Sequence, residues 1–364
     1  MENYKLLTPG PLTTTETVKR EMLKDRCTWD EDYKAITRKI RKDLLDIGKV
    51  DEDEYAAVLM QGSGSFSVES VLHSSVKKTD KCLIISNGAY GERIISMARK
   101  MELNTAIYEV EYDKYPNMEV IKRILKNDPK ITHIAMVHCE TTTGILNPIE
   151  EVSKLSKEFK KILIIDAMSS FGGIDIDIKS LKIDFLISSA NKCIQGVPGF
   201  GFIISNKEAL NRCKGVSKSL SLDLYDQYIG MKDGKWRFTS PTHVVAAFSK
   251  ALDELKEEGG VEARYLRYKK NNDVIRLAFK ELGIESYIDE KKQSPIITTF
   301  LYPKENFKFD SFYKFMKEEG FVIYPGKLTD IDTFRIGNIG EIYLDDVERL
   351  YEATKKYLRG EINE

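Results

Sequence analysis

The stretch "DFLISSANKCIQGVPGFGFIIS", residues 184–205, decides how the chain is read. Phe185, Leu186 and Ile187 form a short apolar run, and Phe202, Ile203 and Ile204 form another. Each reads as a buried strand, because uninterrupted apolar residues suit a sheet covered on both faces. Between them Lys192 follows small polar residues and precedes a turn rich in glycine and proline. A charged amine at the end of a buried strand is costly unless something compensates or neutralises it. Lys192 is therefore either a lysine that snorkels to the surface or an amine with chemistry to perform.

Similar runs recur upstream at 57–60, 82–85, 105–108, 133–137 and 162–165. The segments between them read as helices, for example 91–101 and 148–159. Alternating strands and helices predict an open α/β sheet, mostly parallel and flanked by helices. After Val244 the texture changes to long charged helices, then to the short strands "SPIITTFLY" and "FVIYP" around the helix "FDSFYKFMKEEG". This predicts a smaller C-terminal α+β unit. The division is set at a large unit of residues 1–258, including the N-terminal segment, and a small unit of residues 259–364.

The 56 Lys and Arg nearly cancel the 57 Asp and Glu, which argues against a general nucleic-acid or membrane-surface protein. No apolar run is long enough to cross a bilayer, and Met1–Lys5 shows no signal-peptide pattern. Five scattered cysteines without a Cys-x-x-Cys pair suit a reducing cytoplasm better than a disulfide framework. The four histidines lack the spacing of a zinc site, so no metal is expected. His133 and His138, at the flanks of a strand, read as packing or hydrogen-bonding residues.

In open α/β sheets, sites form beyond the carboxyl ends of strands. After Met60 comes "QGSGSFSVES", where Ser63, Gly64 and Ser65 precede a helix and make an anion cradle or an ordinary turn. After Ile85 comes "SNGAYGER", with Tyr90 placed to stack on a planar ligand or to join the core. After Val137, "HCETTTG" offers hydroxyls, Thr141 first, to a ligand or to a helix cap. After Ile165, "DAMSSFGG" opens with Asp166, a strand-end carboxylate in need of a partner. Each element has a structural reading of its own. Together, phosphate cradle, aromatic, hydroxyl, carboxylate and lysine make the set that pyridoxal 5'-phosphate requires.

The chain resembles the fold-type I, class V aminotransferases. The resemblance runs over essentially its whole length and is carried by "LLTPGPLTTT" (6–15), "RCTWDEDY" (26–33), "GSGSFSVES" (62–70), "SNGAYGER" (86–93), "HCETTTG" (138–144), "DAMSSFGG" (166–173), "SSANKCIQGVPGFGF" (188–202) and "FRIGNIG" (334–340). It implies that Lys192 carries the cofactor as an imine and shuttles the proton. It further implies that Asp166 pairs with the ring nitrogen, Tyr90 stacks on the ring and Thr141 bonds its phenolic oxygen. Ser63, Gly64 and Ser65 would hold the phosphate, joined by Thr239 of a second subunit in a homodimer. Arg335 would bind the substrate's anionic group. Many relatives carry glutamine before the lysine, where this chain has Asn191.

Within the family, the N-terminal motifs and "SNGAYGER" resemble the branch that transfers the amino group of 2-aminoethylphosphonate to pyruvate. The alternatives are an alanine–glyoxylate or serine–pyruvate aminotransferase. A cysteine desulfurase needs a nucleophilic cysteine in the C-terminal unit, whereas the last cysteine here is Cys213. A cofactor-free scaffold would have little reason to combine Lys192, Asp166 and Arg335.

Overall fold

The computed structural model of the chain describes residues 4–303, 307–328 and 330–360. The extreme ends of the two expected units, 1–3 and 361–364, lie outside the described residues. A seven-stranded sheet forms the centre. Its strands are β1 (Tyr55–Gln61), β2 (Lys81–Ser86), β3 (Thr105–Glu109), β4 (Ile131–Val137), β5 (Ile162–Asp166), β6 (Phe185–Ser189) and β7 (Phe200–Asn206). Their order across the sheet is β1-β7-β6-β5-β4-β2-β3. All pairs are parallel except those made by β7, which runs antiparallel to both β1 and β6. Every apolar run singled out in the sequence is one of these strands.

Side chains alternate between two apolar layers, as the two-residue period of a strand requires. Leu59, Ile134, Ile165, Leu186 and Phe202 pack on one face. Val58, Met60, Ala135, Ile164, Ile187 and Ile203 pack on the other. Full burial of one such Ile or Leu contributes about 1.5–3 kcal/mol, so a one-residue slip in register would be prohibitive. His133 lies inside β4 rather than at its flank and is buried.

The C-terminal part builds its own core around Phe279, Phe300, Phe312, Phe334 and Leu350. Its three-stranded antiparallel sheet joins residues 297–301, 333–337 and 324–325, so "FRIG" is a strand beside the two expected ones. The junction at 258/259 falls between helices Thr242–Glu257 and Gly260–Glu281. The N-terminal strand Lys5–Leu6 pairs in parallel with Phe321–Val322. The start of the chain thus runs along the C-terminal sheet before it enters the large unit.

Candidate active site

Because β1, β2, β4, β5 and β6 run the same way, their carboxyl ends open on one edge. The antiparallel β7 starts at that edge, with Phe200 paired to Gln61 and Gly201 to Ser189. A cavity of about 240 Å³ lies there. Ser63, Gly64, Ser65, Tyr90, Asp166 and Lys192 all line it, together with Asn191, Arg93 and Met168. Six of the sequence-predicted residues therefore share one space.

Ser63 is the N-cap of helix Gly64–Ser75, yet its side chain makes no capping hydrogen bond. Its hydroxyl and the first amides of the helix remain for an anion. A Cβ on Gly64 would meet the end of the Met168 side chain, so glycine here lets Met168 pack against the start of the helix. Arg93 Nη1 lies 3.4 Å from Ser65 Oγ and adds a guanidinium to the cradle.

Asp166 ends β5 and is buried. Among the described residues its carboxylate accepts one protein hydrogen bond, from the Met168 amide to Oδ1 at 2.9 Å, which leaves Oδ2 for a ligand. Burial, with the charge of Glu140 adding to it, pushes its pKa up to about 6. A cationic ring nitrogen would answer that need.

Lys192 follows β6 by three residues, and its Nζ donates to the Pro9 carbonyl at 2.7 Å. Burial lowers its pKa, against the opposing pull of Tyr90 and Asp166. The 8–11 turn closes over it: a Cβ on Gly10 would stand 2.7 Å from both the Lys192 side chain and the Asn191 carbonyl oxygen. Asn191 Oδ1 accepts from Ser189 Oγ at 3.1 Å.

Tyr90 lies in the first turn of helix Ala89–Lys100, following Ala89. Arg93 and Lys327 both approach its ring, at 5.0 and 4.3 Å from the centroid, and Lys327 Nζ donates to its hydroxyl at 3.1 Å. Burial alone would raise the phenol, but Lys192, Thr141 and Lys327 outweigh it and bring the pKa down to about 8.

Thr141, Thr239 and Arg335 lie outside the walls of this cavity. Thr141 is buried, and its carbonyl accepts from Arg335 Nη1 at 3.0 Å. Arg335 is buried in strand 333–337 and also donates through Nε to the Pro325 carbonyl at 3.0 Å. Burial lowers its pKa while Tyr90 opposes the shift. Thr239 is exposed; the Gln61 side-chain amide donates to its carbonyl oxygen, just before the anion cradle of the same chain.

Four contributors are absent from the sequence reading. Glu140 is buried and accepts from the backbone amides of Tyr90 and Gly91, and from the Thr142 hydroxyl at 2.6 Å. It caps the helix that carries Tyr90, and burial raises its pKa. Arg93 was legible as the residue one helical turn beyond Tyr90. The Pro9 carbonyl and Lys327 are brought in from 183 and 237 residues away in sequence; the 8–11 turn lies in a motif that carries the resemblance, but its contact with Lys192, like that of Lys327 with Tyr90, has no local signal.

The donor set fits pyridoxal phosphate: an unshared carboxylate oxygen, an amine with lowered pKa, an aromatic wall and a serine-rich helix N-terminus surround one cavity. Among the described residues no cluster of His, Cys, Asp and Glu could hold a metal. No helix among them is long and apolar enough to cross a membrane.

The sequence profile of the family "Aminotransferase class-V" matches residues 24–330. A 2-aminoethylphosphonate–pyruvate transaminase of Lysinibacillus sphaericus (strain C3-41) is 62% identical, with all of both chains covered. A protein of the same name from Bacillus cereus (strain Q1) is 54% identical over 97% of this chain and 98% of that one. Among solved structures, an alanine–glyoxylate aminotransferase of Nostoc sp. superposes with a TM-score of 0.90, covering 99% of this chain and 96% of that one at 20% identity. That last similarity is one of fold.

Proposed function

Because the chain belongs to the class V aminotransferase family, we propose that it uses pyridoxal 5'-phosphate to move the amino group of 2-aminoethylphosphonate to pyruvate, yielding phosphonoacetaldehyde and L-alanine. The observation that carries this reading is the convergence of Asp166, Lys192 and Tyr90 on one cavity beside a helix N-terminus. The choice of amine rests on the name shared by the two full-length relatives.

The cofactor, when bound, supplies a ring that accepts electrons from the carbon bearing the amine. The chain's residues do the rest. Ser63, Ser65, the helix amides after Ser63, and Arg93 would hold the phosphate. Asp166 Oδ2 would pair with the ring nitrogen, and with a pKa of about 6 the carboxyl is mostly ionised at neutral pH. Tyr90 would stack on the ring, and Thr141 would support it from the Tyr90 side. Lys192 Nζ, its lowered pKa favouring the neutral amine, would take the proton from the substrate carbon and return it two atoms along, to the carbon on the far side of the amine nitrogen. Arg335 holds the anionic tail in each half-reaction, since its planar fork suits phosphonate and carboxylate alike.

The homodimer belongs to the same reading. Thr239 is exposed beside the exposed Phe238, on the rim of the cradle, where a second copy would cover it and receive it at its own phosphate site. A cytoplasmic setting fits the five free cysteines, four of them buried. Donor competition tests the substrate: with pyruvate as acceptor, 2-aminoethylphosphonate is expected to outpace serine and alanine at equal concentration. Faster conversion of serine or alanine would overturn the assignment.

A further inference from the structure

Lys327 has no role in the chemistry derived so far, yet it is held with care. It lies in the turn between strands 324–325 and 333–337. The base of that turn is closely paired: the Gly326 amide donates to the Thr333 carbonyl at 2.9 Å, and a Cβ on Gly326 would collide with Thr333. The neighbouring strand carries Arg335, paired in register with Tyr324. Arg335 Nε bonds the Pro325 carbonyl, two residues before Lys327. One hairpin therefore presents two cations, and both approach the same phenol, that of Tyr90. Among the described residues the Lys327 ammonium forms no ion pair; its partners are the Tyr90 hydroxyl and ring. A half-buried ammonium whose best acceptor is a neutral phenol has capacity left for an anion.

Substrate chemistry supplies one. A carboxylate carries one charge and two oxygens, which the Arg335 fork satisfies by itself. A phosphonate carries up to two charges and three oxygens, and in 2-aminoethylphosphonate it stands one carbon farther from the reacting carbon. We propose that Lys327 is a specificity-determining residue: with Arg335 it forms a two-cation seat in which the dianionic tail of the amine accepts from Lys327 Nζ in place of the Tyr90 hydroxyl, whereas a carboxylate is held by Arg335 alone. This rests on the substrate reading above and extends it to how one site tells its two anions apart.

The test uses the holoenzyme of wild type, Lys327→Met and Lys327→Arg. Single turnovers of cofactor absorbance are followed with 2-aminoethylphosphonate and with L-alanine separately. Binding of the inert tails ethylphosphonate and propionate is measured by calorimetry. In Lys327→Met, the half-saturating concentration of 2-aminoethylphosphonate and the dissociation constant of ethylphosphonate are expected to rise about 10- to 100-fold, the size of one charged hydrogen bond. The losses for L-alanine and propionate should be at least about fivefold smaller, so that the preference between the two anions shifts, and Lys327→Arg should restore most of the phosphonate loss because it keeps the charge. Equal losses for both anions, or no loss with the phosphonates, would overturn the proposal. If wild type itself prefers serine or alanine, the substrate assignment falls. The comparison of ethylphosphonate with propionate still decides the role of Lys327: selective weakening of ethylphosphonate supports it and equal behaviour rejects it.

Discussion

Asp166 and Lys192 reach one cavity from adjacent parallel strands: Asp166 is the last residue of β5, in register with Ile187 of β6, and Lys192 stands three residues beyond the end of β6. Strand pairing fixes Asp166 and the base of the short turn that carries Lys192, and the Pro9 carbonyl holds the amine itself. A site built on rigid elements holds its geometry better than one built on loops.

Replacing the amine tests this pairing first. Lys192→Ala is expected to lose the borohydride-reducible absorbance of the purified enzyme and to lower turnover by at least roughly 10²–10⁴-fold, the range for a removed proton-transfer group. Visible spectra before and after borohydride, with a coupled alanine assay, check both effects. An Ala variant that keeps the reducible band places the anchor elsewhere.

Asp166 should make the cofactor-free protein sensitive to pH. Its folded pKa of about 6 exceeds the ordinary 3.8, so the folded state holds the proton more tightly than the unfolded chain. The stability from this group is fully present below about pH 4 and is lost as pH rises through about 6. Asp166→Asn, whose amide oxygen can still accept from Met168, is expected to stabilise the cofactor-free protein by up to about 3 kcal/mol at pH 8. The gain should vanish toward pH 4. Urea unfolding at the two pH values measures it, and a pH-independent difference would contradict it. Cofactor affinity should fall in the same variant.

One tyrosine is expected to ionise near pH 8. Ultraviolet titration of the cofactor-free protein should show a phenolate step at about pH 8 that is missing from Tyr90→Phe. Because Lys327 and Lys192 stabilise the phenolate, Lys327→Met should move that step upward. A step retained in Tyr90→Phe would assign it to another residue.

Arg335→Ala removes two backbone contacts as well as the anion anchor. Each half-reaction should lose about 1.5–3 kcal/mol of kcat/KM, the worth of a hydrogen bond to a charged group. Arg335→Lys should recover only part, for want of the planar fork. Single-turnover kinetics with each substrate gives the numbers, and an effect confined to one half-reaction would show that the two anions use different anchors.

Sedimentation should find an active dimer, with Thr239→Val lowering cofactor affinity about tenfold through one lost hydrogen bond to the phosphate. A fully active monomer would remove the second subunit from the site.

The sequence made the seven central strands legible for a physical reason. A strand buried on both faces is apolar throughout, and the residue just after it is polar only if something there needs it. Asp166, Lys192 and the Ser63–Ser65 turn stood out on that ground. The direction of β7 was not legible, since a buried run reads the same either way. The "FRIG" strand was hidden because its arginine interrupts the apolar pattern, and that arginine is the residue turned toward Tyr90. Tyr90, Thr141 and Arg335 were each singled out, but their meeting depends on how the C-terminal unit docks. Glu140 stayed hidden because its helix-capping role depends on Gly88, where a side chain would collide with it. Lys327 is joined to Tyr90 only by tertiary packing.

The N-terminal strap has a mechanical consequence. Lys5–Leu6 is stitched to Phe321–Val322, the Leu7 carbonyl accepts from Gly337 two residues past Arg335, and the Pro9 carbonyl grips Lys192. Three consecutive links of one peptide therefore tie the strand that carries Arg335 and the amine of Lys192 to the same few residues. Removing the chain before Leu12 would strip all three links at once and leave the Lys192 amine without its carbonyl acceptor.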